Sequence, residues 1–136
     1  IYVDYQSKVD WRGARDILRC SPHFHGVPRF DSVIYEDDSN PLAIGQLHFV
    51  FRCHLPGNAS LDLALVQPFD RTAWRPNTRT DCPIRQKLPL QSCHFIALEH
   101  IVRGALVCQI FGGKHGMYYI MDCIDEDMYL RFHNID

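Results

Sequence analysis

The sequence predicts a mainly β domain of the α+β kind: a small twisted antiparallel β-barrel of five to seven strands with one or two short helices. Three consecutive apolar stretches are separated by polar or Pro-Gly turns: residues 29–35, 43–53 and 61–69. The middle stretch alternates polar residues with an apolar face formed by Leu47, Phe49, Phe51 and Cys53. This alternation is typical of a half-buried antiparallel strand. An aromatic content of 12% and eight prolines also favour strands over a helical bundle.

The chain of 136 residues, 46% of them hydrophobic, fits one domain with its own core. We divide it into a helical approach segment (1–28), a first strand set (29–69), a long basic loop (70–93) and a second strand set (94–136). No apolar run approaches the roughly 18–20 residues that cross a bilayer. The first twenty residues lack a signal-peptide core, so we expect an intracellular protein. Because the chain does not open with Met, we expect a processed product or an excised piece of something larger.

Within the approach segment, the sequence predicts a short helix from Asp10 to Arg19. Asp10 is a candidate N-cap, and Pro22 follows the predicted end. Two faces appear at helical spacing: an apolar one with Trp11, Ala14 and Leu18, and a basic one with Arg12, Arg15 and Arg19.

The second strand set begins with residues 94–102, which are compatible with a strand or a helical turn and are interrupted by Gly104. Three short strands are then predicted at 105–111, 117–123 and 128–132. The glycine-rich residues 111–116 would join the first two as a hairpin.

Positive charge is concentrated in one part of the basic loop. Residues 71–90 carry +4, so the rest of the chain carries −6 within the total of −2. Basic side chains beside an aromatic ring can hold phosphates and stack a base, as nucleic-acid-binding surfaces do. The candidate contacts are Arg71, Trp74, Arg75, Arg79, Arg85 and Lys87. The alternative is a solvated loop whose charges contribute only solubility.

A candidate zinc site lies at Cys20, His23 and His25, three ligand types within six residues. A fourth ligand would come from one of Cys53, His54, Cys93 and His94. The alternative is a turn at 25–26 whose imidazole hydrogen-bonds to the backbone. No cofactor other than zinc is indicated.

The six cysteines are compatible with three disulfides, but free, partly buried thiols are favoured because the chain is long enough to bury a core. Cys82 and Cys93 would be the plausible surface pair. Four acidic residues follow the last predicted hairpin (Asp122, Asp125, Glu126 and Asp127); they are compatible with a divalent-cation site or, more simply, with an exposed turn. No nucleophile elbow, phosphate-binding loop or dinucleotide fingerprint occurs.

Six segments in order resemble the domain toward the C-terminus of Plavaka-type transposases, of the CACTA-like DNA transposons of fungi. They are residues 10–20, 21–31, 44–51, 63–70, 101–106 and 122–131. The resemblance implies an accessory domain of a nuclear, transposase-like protein, outside the nuclease core, and it implies no catalytic residue. The strand set before Gly104 also resembles chromatin-reading barrels of the bromo-adjacent homology type.

We therefore expect a non-catalytic interaction module that binds nucleic acid, or a protein partner such as an acidic segment or the rest of a larger transposase-like chain. The rival expectation is a small metal-dependent hydrolase or nuclease that uses His23, His25 and the acids of 122–127. A third is a purely structural role, which an exposed apolar sheet face would favour.

Overall fold

The computed structural model describes residues 1–73, 75, 77–78, 81–112 and 115–133. Twelve strands and one α-helix are formed by these residues, with 3-10 turns at Leu90–Ser92 and Leu98–His100. The strands are β1 (Tyr2–Gln6), β2 (Gly13–Ile17), β3 (Cys20–Phe24), β4 (Val27–Phe30), β5 (Ser32–Asp37), β6 (Asn40–His54), β7 (Ser60–Arg71), β8 (Ile84–Lys87), β9 (His94–Ala97), β10 (Ile101–Ala105), β11 (Val107–Gln109) and β12 (Met117–Ile120). The helix is α1 (Glu126–His133). The prediction of a mainly β domain is confirmed.

The main sheet has the order β10-β5-β6-β7-β8-β12-β11, and β9 pairs with the first half of β7. β7 therefore divides at Gln67, with β9 beside residues 63–66 and β8 beside residues 69–71. The buried Gln67 side chain holds this fork together: its amide nitrogen donates to the Leu88 carbonyl at 2.6 Å, and its oxygen lies 2.7 Å from His48 Nε2.

The sheet is strongly curved, because β9 and β10 lie on opposite sides of the β5-β6-β7 unit but are joined only by Leu98–His100. In a flat sheet, four inter-strand steps would separate them by about 19 Å. Four Cα–Cα steps reach at most about 15 Å. The turn accordingly contacts both β5 and β7. Within the described residues no sheet closes into a full ring of paired strands, so closure stays a prediction.

The concave face of this curve holds the larger core. Its buried side chains include Val33, Tyr35, Leu47 and Val66, and the β1-β2 hairpin covers it with Val3 and Leu18. Gly45 lies close to this core, because a Cβ there would be 3.1 Å from the Tyr35 ring and 3.3 Å from the Gln67 carbonyl oxygen. A second core lies on the other face, where Ile44, Phe69 and Ile120 pack with Phe132 of α1.

A β-bulge at His48 reverses the faces of β6. Leu47 pairs with Val66 but Phe49 pairs with Leu65, so His48 is the extra residue. Leu47 is fully buried, whereas Phe49 is 58% exposed and Val50 turns to the concave core. The prediction that Leu47 and Phe49 share one face is therefore wrong, because one extra residue moves every later side chain to the opposite side.

The helix predicted at Asp10–Arg19 is also wrong. The chain turns at Ser7–Trp11, where Trp11 has a φ of 61°, and returns as β2 antiparallel to β1. The cross-strand pair of Arg15 and Asp4, at 2.6 Å, replaces the predicted basic helix face. A short amphipathic sequence gains more from pairing with a neighbouring strand than from a lone helix of fewer than a dozen residues.

The strand predicted at 128–132 is the helix α1 instead. Asp125 accepts a hydrogen bond from the Met128 backbone N–H at 2.8 Å, which caps the first turn. Arg131 bonds Asp127 one turn earlier, at 2.7 Å, and basic residues occupy the last turn. The predicted basic loop 70–93 likewise contains the end of β7, β8 and a 3-10 turn.

The buried guanidinium of Arg103 connects the N-terminal hairpin, β10 and α1. It lies 2.7 Å from Asp127, 3.0 Å from Asp125 and 3.6 Å from Asp16, and 4.8 Å above the Tyr5 ring. These partners, which come from both ends of the chain, raise its pKa despite burial. Burial favours protonation of Asp127, yet hydrogen bonds from Arg131, the Lys8 N–H and Arg103 hold its pKa below the ordinary value.

The bulge predicts unequal effects of two neighbouring truncations. Leu47→Ala should lower the free energy of unfolding by about 2–5 kcal/mol, because it empties a closed part of the core. Phe49→Ala should lower it by about 1 kcal/mol or less, since most of that ring is already in water. Urea denaturation measures the free energy of unfolding of both variants. Equal losses would mean that both side chains face the core and that the bulge is misplaced.

Candidate functional site

A cavity of about 140 Å³ lies at the far end of β7, lined by Arg71, Thr72, Arg75, Pro83, Ile84 and Arg85. Three of the six predicted nucleic-acid contacts therefore meet at one site: Arg71, Arg75 and Arg85. Arg71 and Arg75 are exposed, and Arg85 is 7% exposed. Two exposed arginines and one buried arginine give the cavity a positive charge, and this arrangement can bind an anion.

Pairing of β7 with β8 builds the cavity. Arg71 and Arg85 lie directly opposite each other in the two strands. Like charges in this position repel, so pairing alone would disfavour the arrangement. Thr72 continues the contact beyond the strand, donating its hydroxyl hydrogen bond to the Ile84 carbonyl at 2.9 Å. The two arginines are therefore held together against their repulsion.

Arg85 has no neutralising partner in the described part of the chain: no hydrogen bond or ion pair to its guanidinium occurs there. Burial lowers the pKa of Arg85, the charge of Arg71 lowers it further, and Asp70 acts in the opposite direction. Arg103 is similarly buried, with 6% of its surface exposed, but three carboxylates surround it. A desolvated guanidinium without an anion is unfavourable. The Arg85 site therefore favours an anion from outside.

The other predicted contacts divide into two groups. Lys87 is half-buried, donates to Gln46 Oε1 and lies 5.7 Å from the Tyr118 ring centre, so it faces the neighbouring strands. Its pKa is lowered by burial. Trp74 and Arg79 lie outside the described residues. Asp81, the acidic residue of this segment, accepts hydrogen bonds from the Asn77 and Thr78 backbones, which hold its pKa below the usual value.

The predicted zinc ligands are not brought together. Cys20 is half-buried at the start of β3, His23 is exposed on the same strand, and His25 lies in the following turn with a φ of 48°. Among the described residues, ligand atoms of three metal-binding side chains come within 4.8 Å of one another at Cys82, Asp122 and Cys123 instead. The zinc prediction at Cys20, His23 and His25 remains a prediction.

The group of Cys82, Asp122 and Cys123 was not predicted from the sequence, because 40 residues lie between the two cysteines. All six cysteines are free thiols, and Cys82 lies beside Cys123, not Cys93. Burial raises the pKa of Cys82 to about 11, and Cys123 and Asp122 add to the effect. Of the acidic cluster, Asp125 and Asp127 bind Arg103, whereas Asp122 lies 2.8 Å from His133 Nε2.

An exposed apolar face covers the outer side of β6, β7 and β9, beyond the bulge. Phe49, Leu65 and Phe95 form one cross-strand row; Phe51 and Leu63 belong to the next. The rings of Phe49 and Phe51 stack with centroids 5.4 Å apart, and Phe95 meets Phe51 edge-on at 5.7 Å. Phe49 and Phe95 are 58% and 61% exposed. We call this set the phenylalanine face.

Comparison of the chain with protein-family models, with curated proteins and with solved structures finds no match. Among the described residues, no helix has both the length and the apolar character that crossing a membrane requires.

The two buried arginines predict opposite responses to the same substitution. Arg103→Met should lower the free energy of unfolding by about 3–5 kcal/mol, because it removes the buried cation that Asp127, Asp125 and Asp16 share. Arg85→Met, in phosphate-free buffer, should leave it unchanged or raise it by up to about 2 kcal/mol, because it removes an unneutralised buried charge. Urea denaturation compares them. A loss for Arg85→Met as large as that for Arg103→Met would indicate that Arg85 has an internal partner.

Proposed function

We propose that this domain is a non-catalytic interaction module that binds nucleic acid by holding a backbone phosphate in the cavity between Arg71, Arg75 and Arg85. The observation that carries the proposal is the burial of Arg85 in the cavity wall, where no carboxylate of the described residues forms a hydrogen bond or an ion pair with its guanidinium. A phosphate provides the missing negative charge and several acceptor oxygens. Guanidinium groups match such oxyanions with paired, charge-assisted hydrogen bonds.

The size of the cavity is compatible with a phosphate group. A volume of about 140 Å³ equals that of four or five water molecules at about 30 Å³ each. A phosphate group of five heavy atoms fits this space. The exposed Arg71 and Arg75 at the mouth would contact neighbouring phosphates. Trp74 and Arg79 belong to the same proposal, with Trp74 stacking on an unpaired base.

Phosphate contacts fix a protein on nucleic acid without reading sequence. The proposed role is therefore attachment of a larger assembly to a nucleic-acid backbone. It suits an accessory domain of a transposase-like nuclear protein, which is the context we propose on the strength of the six ordered segments. The curvature of the sheet and the short β9–β10 connection support the proposal that the fold is a partly open barrel.

The phenylalanine face supports a protein partner in addition. Its exposed rings form a contiguous apolar surface, of the kind that marks interaction sites on soluble domains. We propose that the rest of the larger chain covers it. The face lies on the half of β7 that pairs with β9, and the arginine cavity lies at the other end. The two contacts would therefore not compete.

Oligonucleotide binding at several salt concentrations tests the phosphate proposal. Fluorescence anisotropy with duplex and single-stranded oligonucleotides should give a log K that falls linearly with log salt. Arg71→Ala should reduce that slope by about one, because one phosphate contact is lost. Arg85→Met should weaken binding by about ten- to a hundredfold, the effect of one buried charge-assisted hydrogen bond.

The matched control is Arg52→Ala. Arg52 is exposed to solvent, as Arg71 is, but it is paired with Asp62 of β7. Asp62 lies about 30 Å along β7 from Arg71 at the cavity. The Arg52→Ala variant should bind the oligonucleotides with the affinity of the unmodified protein. Affinity that is independent of salt, or that is retained in Arg85→Met, would contradict the proposal.

A further inference from the structure

We propose that Cys82, Cys123 and Asp122 form a zinc site that joins the start of β8 to the segment before α1. The two sulfurs and the carboxylate oxygen lie within 4.8 Å of one another. With Zn–S bonds of about 2.3 Å, tetrahedral geometry places two thiolate sulfurs about 3.8 Å apart. The three side chains therefore need only a small closure to bind one ion. This inference is independent of the phosphate proposal.

Backbone pairing brings the ligands together. Tyr119 is paired with Ile84 in the β8-β12 ladder, and the Ile120 N–H donates to the Pro83 carbonyl at 2.8 Å. Continuing this antiparallel register by one residue beyond Pro83 and Ile120 places Cys82 opposite residue 121, next to Asp122. The Asp122 backbone N–H bonds to the Ile120 carbonyl at 2.9 Å, which fixes the turn that presents Asp122 and Cys123 side by side.

The charge balance of the site favours a cation. Asp122 is 3% exposed, and its Oδ2 lies at hydrogen-bond distance, 2.8 Å, from Nε2 of His133. No arginine or lysine in the described chain forms an ion pair with it. Its neighbours Cys82 and Cys123 carry protons that a zinc ion displaces. Binding of the two thiols as thiolates releases two protons and, together with the Asp122 carboxylate, gives three anionic ligands around Zn²⁺.

His133 is a positioning residue in this proposal. An imidazole that hydrogen-bonds a ligating carboxylate fixes its orientation, and such outer contacts commonly change metal affinity by about 10–100-fold. His133 is the last residue of α1, so zinc would connect the helix end to β8 through Asp122. Three protein ligands leave the fourth tetrahedral position to a water molecule.

Metal titration of the reduced, chelator-treated protein tests the site. We expect one Zn²⁺ per chain in competition with a chromophoric chelator. Co²⁺ in its place should give a sulfur-to-metal charge-transfer band with the intensity of two thiolates. Cys82→Ser and Cys123→Ser should each weaken Zn²⁺ binding at least tenfold and halve the Co²⁺ band, and His133→Gln should weaken binding with the band retained. A Zn²⁺-dependent rise in melting temperature should be lost with either cysteine.

Cys108→Ser is the matched control, because Cys108 is an exposed cysteine on β11 outside the group. It should bind Zn²⁺ as the unmodified protein does, and circular dichroism verifies that every variant folds. Zn²⁺ binding that survives Cys82→Ser, or that is lost on changing Cys20, His23 and His25 instead, would overturn the proposal. So would a reduced protein with all six thiols free that binds no Zn²⁺.

Discussion

The fold depends on the neutralisation of one buried cation, Arg103. Its guanidinium binds Asp127 and Asp125 and lies near Asp16, so it holds the C-terminal helix and the N-terminal hairpin on the same strand. Gly104 beside it has no side chain, and a Cβ there would lie 2.9 Å from Leu18 of the hairpin. Without a side chain, Gly104 lies close to the hairpin, and its backbone N–H donates a hydrogen bond to Asp16 Oδ2 at 2.8 Å. Removing one partner from such a network costs far more than the net stabilisation of the pair, because a buried charge is left behind.

The same cost of an unneutralised buried charge is the basis of the proposal for Arg85. Arg85 is as buried as Arg103 but has no carboxylate bound to it among the described residues. Two buried cations of one chain thus differ in their surroundings: Arg103 is neutralised inside the fold, and for Arg85 we propose a counter-ion from outside. β7 changes its pairing partner from β9 to β8 at Gln67. β8 therefore runs beside the end of β7, and Arg85 lies opposite Arg71.

Local chemistry predicted the strands at 43–53 and 61–69, since alternation and a Pro-Gly turn are properties of adjacent residues. It did not predict the bulge, because His48 occupies an ordinary polar position in that alternation. Residues 128–132 alternate as a strand does, and their helix depends on the Asp125 cap and on Arg103, which is remote in sequence. Three of the predicted phosphate contacts, Arg71, Arg75 and Arg85, lie together at one end of β7, and their role stays a prediction. The burial of Arg85 and the approach of Cys82 to Cys123 depend on strand pairing, which no local signal carries.

Direct observation of the Arg85 guanidinium by NMR tests the central claim, that this buried cation takes its counter-ion from solution. Its Nε–Hε resonance, assigned by its absence in Arg85→Met, would be followed during titration with inorganic phosphate and then with a short DNA duplex. The account predicts a saturable shift of Arg85 with both, while the internally neutralised Arg103 stays fixed. A duplex that binds while the Arg85 resonance remains unchanged would contradict it.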